Sequence, residues 1–296
     1  MRIDQMLADR REPVFSFEFF PPDNDEATER LFRVIEKLQI DLRPNFVSVT
    51  CRNNSRLRTL ELVKRIRSEL ALEPMAHFTC AGATRKEMHR VLEDLHTSGI
   101  HNVLALRGDA VQGENGLVTS GEDLAHGSDL VRLISESYDF CIGAATYPDI
   151  HAEAVSEDDD LRYSKLKVDG GASFLITNVF FDNTKYFDHV AQLRALGVTA
   201  PVIPGVMPIT SLNRLSAEDS TFFGIRLPRS LTDALVRRAD DPDAIVQLGA
   251  AYATLQCSEL LAAGAPGVHF YTLNRSPATR AILAALLAAR PWERAQ

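Results

Sequence analysis

Eight short apolar runs recur along this chain, each separated from the next by a longer stretch, and that alternation limits the folds open to it. The runs are VFSFEFF (14–20), FVSVT (46–50), MAHFTC (75–80), HNVLALRG (101–108), CIGAATYP (141–148), FLITNVFF (174–181), PVIPGVMP (201–208) and GVHFYTL (267–273). Between them stand segments with helical spacing and charged faces, such as DEATERLFRVIEKLQ (25–39) and TRKEMHRVLEDLHTSG (84–99). Several open on an Asp, Thr or Ser cap, and several close on a glycine, as at Gly99 and Gly197. Strand–helix alternation produces a parallel sheet covered by helices. Eight repeats predict an α/β fold of the closed (β/α)8 TIM-barrel type, one domain over residues 1–296, because such barrels run to about 250 residues as single units. No G-x-G-x-x-G follows the first strand, which counts against an open dinucleotide-binding sheet. The stretch from Ser211 to Ala263 is long for one connection and predicts an extra helix before the eighth strand.

Composition narrows the function. A hydrophobic share of 45% supports a sizeable core. A net charge of −8 argues against a nucleic-acid surface, which needs basic patches. The start, MRIDQMLADRREP, is charged and has no signal-peptide run, and no apolar run reaches the roughly 18–20 residues of a membrane span. AILAALLAA, near the end, reads as a packed helix. Cys51, Cys80, Cys141 and Cys257 are widely spread without a C-x-x-C pair, so neither zinc nor a disulfide framework is indicated. A cytoplasmic protein without a metal site is expected.

In such a barrel, function gathers at the carboxyl ends of the strands. Those ends carry Glu18, Thr50, His77 with Thr79, Arg107 with Asp109, Tyr147, Asn178, and Tyr271 with Arg275. Alternation puts Phe15, Phe17 and Phe19 on one face of the first strand and Val14, Ser16 and Glu18 on the other. With the phenylalanines under the helices, Glu18 faces the mouth, and Pro21-Pro22 end the strand. In the fourth strand Val103, Ala105, Arg107 and Asp109 share a face opposite Leu104 and Leu106; leucines turned to the helices would aim Asp109 at the mouth.

A carboxyl in a crowded mouth is partly desolvated, and an ionised Asp109 nearby would raise the Glu18 pKa further, giving a general acid near neutral pH. The competing reading is a salt bridge from Glu18 to Arg52, Arg107 or another arginine, without catalysis. Arg107-Gly108-Asp109 reads either as a turn that a ligand approaches closely or as a tight turn with a solvated ion pair. His77 and His151 are hydrogen-bond donors or satisfied structural groups; Tyr147 and His151 flank one loop. SEDDDL (156–161) reads as an acidic helix start rather than a metal site. GDAVQGENG (108–116) matches no P-loop and reads as a mobile loop. No lysine stands at a strand end, which disfavours a Schiff-base aldolase.

Taken in order, FSFEFFPP, FVSVT, HFTC, ALRGD, YPDIHAEA, LKVDGGASFLITNVFFD, VIPGVMPI and HFYTLNR resemble the methylenetetrahydrofolate reductase family, over roughly residues 14–275. The resemblance implies a (β/α)8 barrel that reduces 5,10-methylenetetrahydrofolate to 5-methyltetrahydrofolate, passing hydride from NAD(P)H, usually through FAD. Because the chain ends soon after its eighth repeat, the regulatory domain of eukaryotic members is expected to be absent. By resemblance, Glu18 is the general acid and Asp109 the carboxylate that stabilises the iminium cation of the opened substrate. Asn178 takes the place of a folate-binding glutamine, Leu212 that of a phenylalanine that sandwiches the substrates, and Arg275 that of an arginine near the substrate tail. Thr50, His77, Arg107, Gly108, Tyr147, His151, Asp160, Lys167 and Tyr271 correspond to flavin-contacting positions.

Departures cluster where flavin would sit. CRNNSRLRT replaces a Gly/Ser-rich stretch, His126 a tyrosine near the adenine end, Tyr163 a small polar residue and Leu166 an arginine. These imply weakened or lost FAD binding, with NADH in the flavin space passing hydride directly. NADH is preferred to NADPH because no arginine cluster suits a 2′-phosphate. Alternatives are an FAD-dependent reductase of the same reaction, a folate-linked demethylation or one-carbon enzyme, and a folate- or nucleotide-binding barrel without turnover.

Overall fold

The computed structural model describes residues 1–9, 11–51, 56–108, 111–113, 116–118, 124–151, 153–274 and 276–295. The apolar runs form β1 (Val14–Phe19), β2 (Phe46–Val49), β3 (Glu73–Thr79), β4 (Asn102–Leu106), β5 (Cys141–Thr146) and β6 (Phe174–Thr177). They are followed by β7, in two pieces (Val202–Ile203 and Gly205–Val206), and β8 (Gly267–Tyr271). Every neighbouring pair is parallel, and β1 pairs with both β2 and β8. The break in β7 falls at Pro204, which has no amide to give a ladder. One piece pairs Ile203 with Ile176 and the other pairs Val206 with Phe270, so the broken strand closes the ring.

Helices cover the ring because their ends are specified locally. Asn24 caps α2 (Asp25–Leu42) by accepting from Ala27 N at 2.9 Å. Thr84 and Glu87 form a reciprocal capping box on α4 (Arg85–Thr97), which follows α3 (Arg56–Glu69). α5 (Gly127–Ser137), α6 (Glu157–Asp169) and α7 (Asn183–Ala195) come next; Ser156 caps α6 ahead of four acidic residues in its first turn. α8 (Arg229–Val236), α9 (Pro242–Ala262) and α10 (Ser276–Ala289) complete the ring.

Two apolar layers follow from strand alternation. Phe15, Phe17 and Phe19 pack outward under the helices with Val47, Val49 and Phe78, in agreement with the sequence. Inside the barrel, Val14, Phe46, Met75, Phe174 and Ile203 meet Ile3 and Leu7 of α1 (Ile3–Ala8), which plugs the amino-terminal end. Leu104 belongs to this inner layer, whereas Val103 and Ala105 pack outward. That reverses the phase expected for β4. The barrel floor is itself apolar, so size alone does not send a leucine outward; opposite, Gly143 leaves room for the Phe174 ring and a methyl group of Leu104. Asp109 and Arg275 lie outside the described residues, as does Arg52.

The extra helix before β8 is present, but it is preceded by a small antiparallel sheet, Leu215–Ser216, Thr221–Phe222 and Ile225–Arg226. Strands of two residues are too short to show alternation, which hid them in the sequence. Likewise the stretch read as a loop after β4 contains a hairpin, Val111–Gly113 with Gly116–Val118. No helix among the described residues is long and apolar enough to cross a membrane.

Gly205 tests the closure. A Cβ there would stand 2.3 Å from Thr177 O and 2.5 Å from Tyr271 Cε2. Gly205→Ala is expected to destabilise by roughly 1–3 kcal/mol or more through overpacking at the seam, read as a lower urea midpoint at unchanged m.

Candidate active site

Glu18 stands at the carboxyl end of β1, inside the ring and 6% exposed. Its backbone is fixed from β8: Thr272 Oγ1 donates to Glu18 O at 2.5 Å. Two residues on, the Asn274 side chain accepts from Phe20 N at 2.8 Å and donates to Phe20 O at 2.9 Å. Asn274 thus continues the ladder where Pro21 and Pro22 cannot.

Two imidazoles flank the carboxylate. His269 Nε2, fully buried on β8, lies 3.4 Å from Glu18 Oε2, and its Nδ1 shares a 2.8 Å hydrogen bond with Ser16 Oγ. His77 Nε2, on β3, lies 3.3 Å from the same oxygen. Burial pushes the Glu18 pKa up, but the two imidazoles outweigh it and hold it down at about 2. The sequence led to the opposite direction and to arginine partners; instead the partners are histidines, and Arg107 pairs with Glu153. The carboxylate and imidazoles together form a buried cluster, with Glu18 the member at the end of its strand.

Polar atoms around it lack partners. Ser48 Oγ and Thr50 Oγ1 on the inner face of β2 are buried and make no hydrogen bond among the described residues, and His77 Nε2 meets Glu18 without hydrogen-bond alignment. Buried polar groups are ordinarily satisfied, so such orphans at a barrel mouth mark where a polar ligand adds bonds. Tyr271 closes this side: its hydroxyl donates to Thr177 O at 2.9 Å, and burial, with the Glu18 and Tyr147 charges, raises its pKa well above the ordinary value.

Five of the remaining predicted residues, Arg107, Tyr147, His151, Asp160 and Lys167, gather around a cleft of about 320 Å³ between β4, β5 and α6. Tyr147 and His151 stack edge to face at 4.6 Å. His151 N donates to Asp160 Oδ2 at 3.0 Å, and its Nδ1 accepts from Glu153 N at 3.1 Å. Burial raises the Asp160 pKa. Lys167 Nζ donates to Ala145 O at 2.7 Å, and burial lowers its pKa to about 8 against the pull of Asp160. α6, which carries Asp160, Tyr163 and Lys167, is held to β5 and α7 by Thr146 Oγ1, 2.8 Å from Ser164 Oγ and 2.6 Å from His189 Nε2. Burial lowers the His189 pKa to about 4, so this tie is uncharged at neutral pH.

At the outer end of the cleft the His126 and Tyr163 rings meet at 4.6 Å, with Tyr163 Oη 3.4 Å from His126 Nε2. Both line the cleft, whereas Leu166 does not. Gly108 has φ +85° and approaches Thr79 closely, so a turn glycine explains its presence. Asn178 is exposed at the end of β6. Leu212 packs partly buried with the apolar cluster of Val179, Phe181 and Met207 and lines neither this cleft nor the cavity beside Asn178. Sequence reasoning missed His269, although it shares a strand face with Tyr271. It also missed Glu153, which no local pattern marks.

Fold and site together define a parallel (β/α)8 barrel with a buried acid–imidazole cluster at its strand ends and a cleft between β4, β5 and α6. A sequence model of methylenetetrahydrofolate reductase matches residues 2–287. The 5,10-methylenetetrahydrofolate reductases of Pectobacterium carotovorum subsp. carotovorum and Escherichia coli (strain K12) are each 35% identical over 283 residues, 95% of this chain and 92% and 93% of theirs. Among solved structures, an uncharacterized protein from Clostridium thermocellum, described as binding two copies of 5-methyl-5,6,7,8-tetrahydrofolic acid, superposes with a TM-score of 0.67. It is 17% identical, over 98% of this chain and 99% of that one, and shares the fold. The chain belongs to the methylenetetrahydrofolate reductase family.

Lys167 supplies a pH test. Its pKa is depressed from 10.5 to about 8 in the folded protein, so between those values the unfolded chain binds more protons and stability rises with pH. Urea melts from pH 7 to 10.5 should show the wild type gaining stability relative to Lys167→Met across that window. Parallel curves would contradict the assignment.

Proposed function

We propose that this chain reduces 5,10-methylenetetrahydrofolate to 5-methyltetrahydrofolate in the cytoplasm, with NADH giving its hydride directly to the substrate. The observation that carries the reading is Glu18, buried at the barrel mouth between His77 and His269. The bridged ring opens when a proton reaches a bridge nitrogen and the bond from that nitrogen to the methylene carbon breaks, leaving a 5-iminium cation. Hydride then adds to the methylene carbon, NADH becomes NAD⁺, and the product is the 5-methyl compound. His77 and His269 hold Glu18 ionised at rest, with its pKa at about 2, so the carboxylate takes up a proton only in the closed complex and relays it to that nitrogen. Asp109, assigned by resemblance, supplies the negative charge that stabilises the cation; Asn178 offers an amide to the pterin.

The same cleft argues against a resident flavin. Its guanidinium, Arg107, is already paired with Glu153 through two hydrogen bonds. Its ammonium, Lys167, is spent on Ala145 O, and Tyr163 and His126 narrow the outer end. FAD retained through many turnovers needs a dedicated partner for its diphosphate. A dinucleotide that exchanges at each turnover tolerates weaker holding, and the His126–Tyr163 pair offers a flat surface to its adenine. No step is therefore assigned to FAD.

The test is an anaerobic assay of flavin-free protein with NADH and 5,10-methylenetetrahydrofolate. Stoichiometric NADH loss and 5-methyltetrahydrofolate formation without added FAD are expected; turnover only after FAD addition would overturn direct transfer. Glu18→Gln should lower kcat by roughly 10²–10⁴ and leave NADH affinity unchanged. Unaltered kcat would remove Glu18 from the mechanism.

A further inference from the structure

Seven described residues other than glycine, asparagine and aspartate have positive φ, and two of them, Ile150 and Phe223, line one cavity. Ile150 has φ +54° and Phe223 φ +52°. They are 44% and 48% exposed, and they bound a cavity of about 720 Å³ that also touches Tyr147, Asn178, Lys185 and Arg226. A β-branched or bulky residue in this conformation is an outlier, and such strain gathers at ligand clamps.

The fold imposes the conformation but does not ask for these side chains. Phe222 is buried edge to face against Phe181 and pairs with Ile225, leaving Phe223-Gly224 as a two-residue hairpin loop. Both loop residues have positive φ, the geometry that Asn-Gly fills without strain. A phenylalanine there gives up turn stability to hold an aromatic ring at the cavity edge. Arg214 lies over its ring, 5.7 Å away. Ile150 is pinned from the other side, since the next amide, His151 N, is bonded to Asp160.

The cavity wall also carries charge. Lys185, in the first turn of α7, and Arg226, on the hairpin, enter no ion pair among the described residues. Of the two acids that line it, Asp149 has its pKa raised by burial despite both cations, and Glu157 accepts from Gln192 at 3.1 Å. Tyr147 and His151 line both this cavity and the dinucleotide cleft, so the two are contiguous.

We infer that this cavity receives the aminobenzoyl-glutamate arm of the folate, its flat ring between Ile150 and Phe223 and its carboxylates facing Lys185 and Arg226. The inference rests on the folate reading above and adds a seat for the arm beyond Arg275, the one tail contact that the resemblance supplied. A flat conjugated ring matches two apolar side chains held apart on separate elements, and a dianionic tail matches two cations without partners.

The experiment measures dissociation constants of the full chain for 5-methyltetrahydrofolate and for 6-methyltetrahydropterin, which lacks the arm. Phe223→Asn relieves the turn, so it should raise Tm while weakening 5-methyltetrahydrofolate about fivefold through loss of the ring contact. Lys185→Gln with Arg226→Gln should weaken it about tenfold or more. Both variants should bind the pterin and NADH as the wild type does. Unchanged folate affinity in both variants overturns the inference, as does an equal loss for folate and pterin. Wild-type protein that binds neither compound overturns the functional reading itself, and the inference with it.

Discussion

A carboxylate taken out of water must be compensated, and in this barrel the compensation at Glu18 organises everything around the mouth. Burial alone would neutralise it. His77 reaches it from β3 and His269 from β8, so the acid is held by strands on both sides of its own. Ser16 orients His269 from below, and Thr272 and Asn274 fix the backbone on which Glu18 sits. None of these contacts is local in sequence. The acid cluster therefore exists only as a property of the closed ring.

Across the mouth a different logic applies. The cleft between β4, β5 and α6 is polar, but its charges are mostly satisfied internally: Arg107 by Glu153, Asp160 by the His151 amide, Lys167 by a backbone carbonyl. Internal pairing lowers the cost of presenting charge but leaves less of it for a guest. A site arranged in this way favours a ligand that arrives and leaves over one that stays. Under the proposed function, a tightly specified acid and a loosely specified nucleotide surface would divide the labour of proton and hydride delivery.

Legibility in the sequence followed the length of the pattern. β1 was readable because three phenylalanines alternate with Ser16 and Glu18, and that phase is what the fold shows. β4 was misread because leucine fits the barrel floor as well as the helix layer, and nothing in Asn102–Leu106 says which. The hairpin at 221–226 was invisible, since its strands are two residues long. Glu18, Tyr147, His151 and Lys167 stand out in the sequence because strand ends and the family pattern mark them. His269 was missed because its partner is 251 residues away. The direction of the Glu18 pKa was lost with it, since that direction depends on neighbours and not on the strand that carries the acid.

The hydrogen bonds between Asn274 and Phe20 span 254 residues of chain, nearly its full length. Closing so large a loop is entropically slow to achieve, and contacts of this separation form late. A partly assembled barrel therefore carries Glu18 without His269, with its strand end untied. Such an intermediate exposes an ordinary surface carboxylate in place of the buried cluster. The asparagine that bridges the two-proline exit from β1 thus ties the acid cluster to the meeting of the first strand and the last.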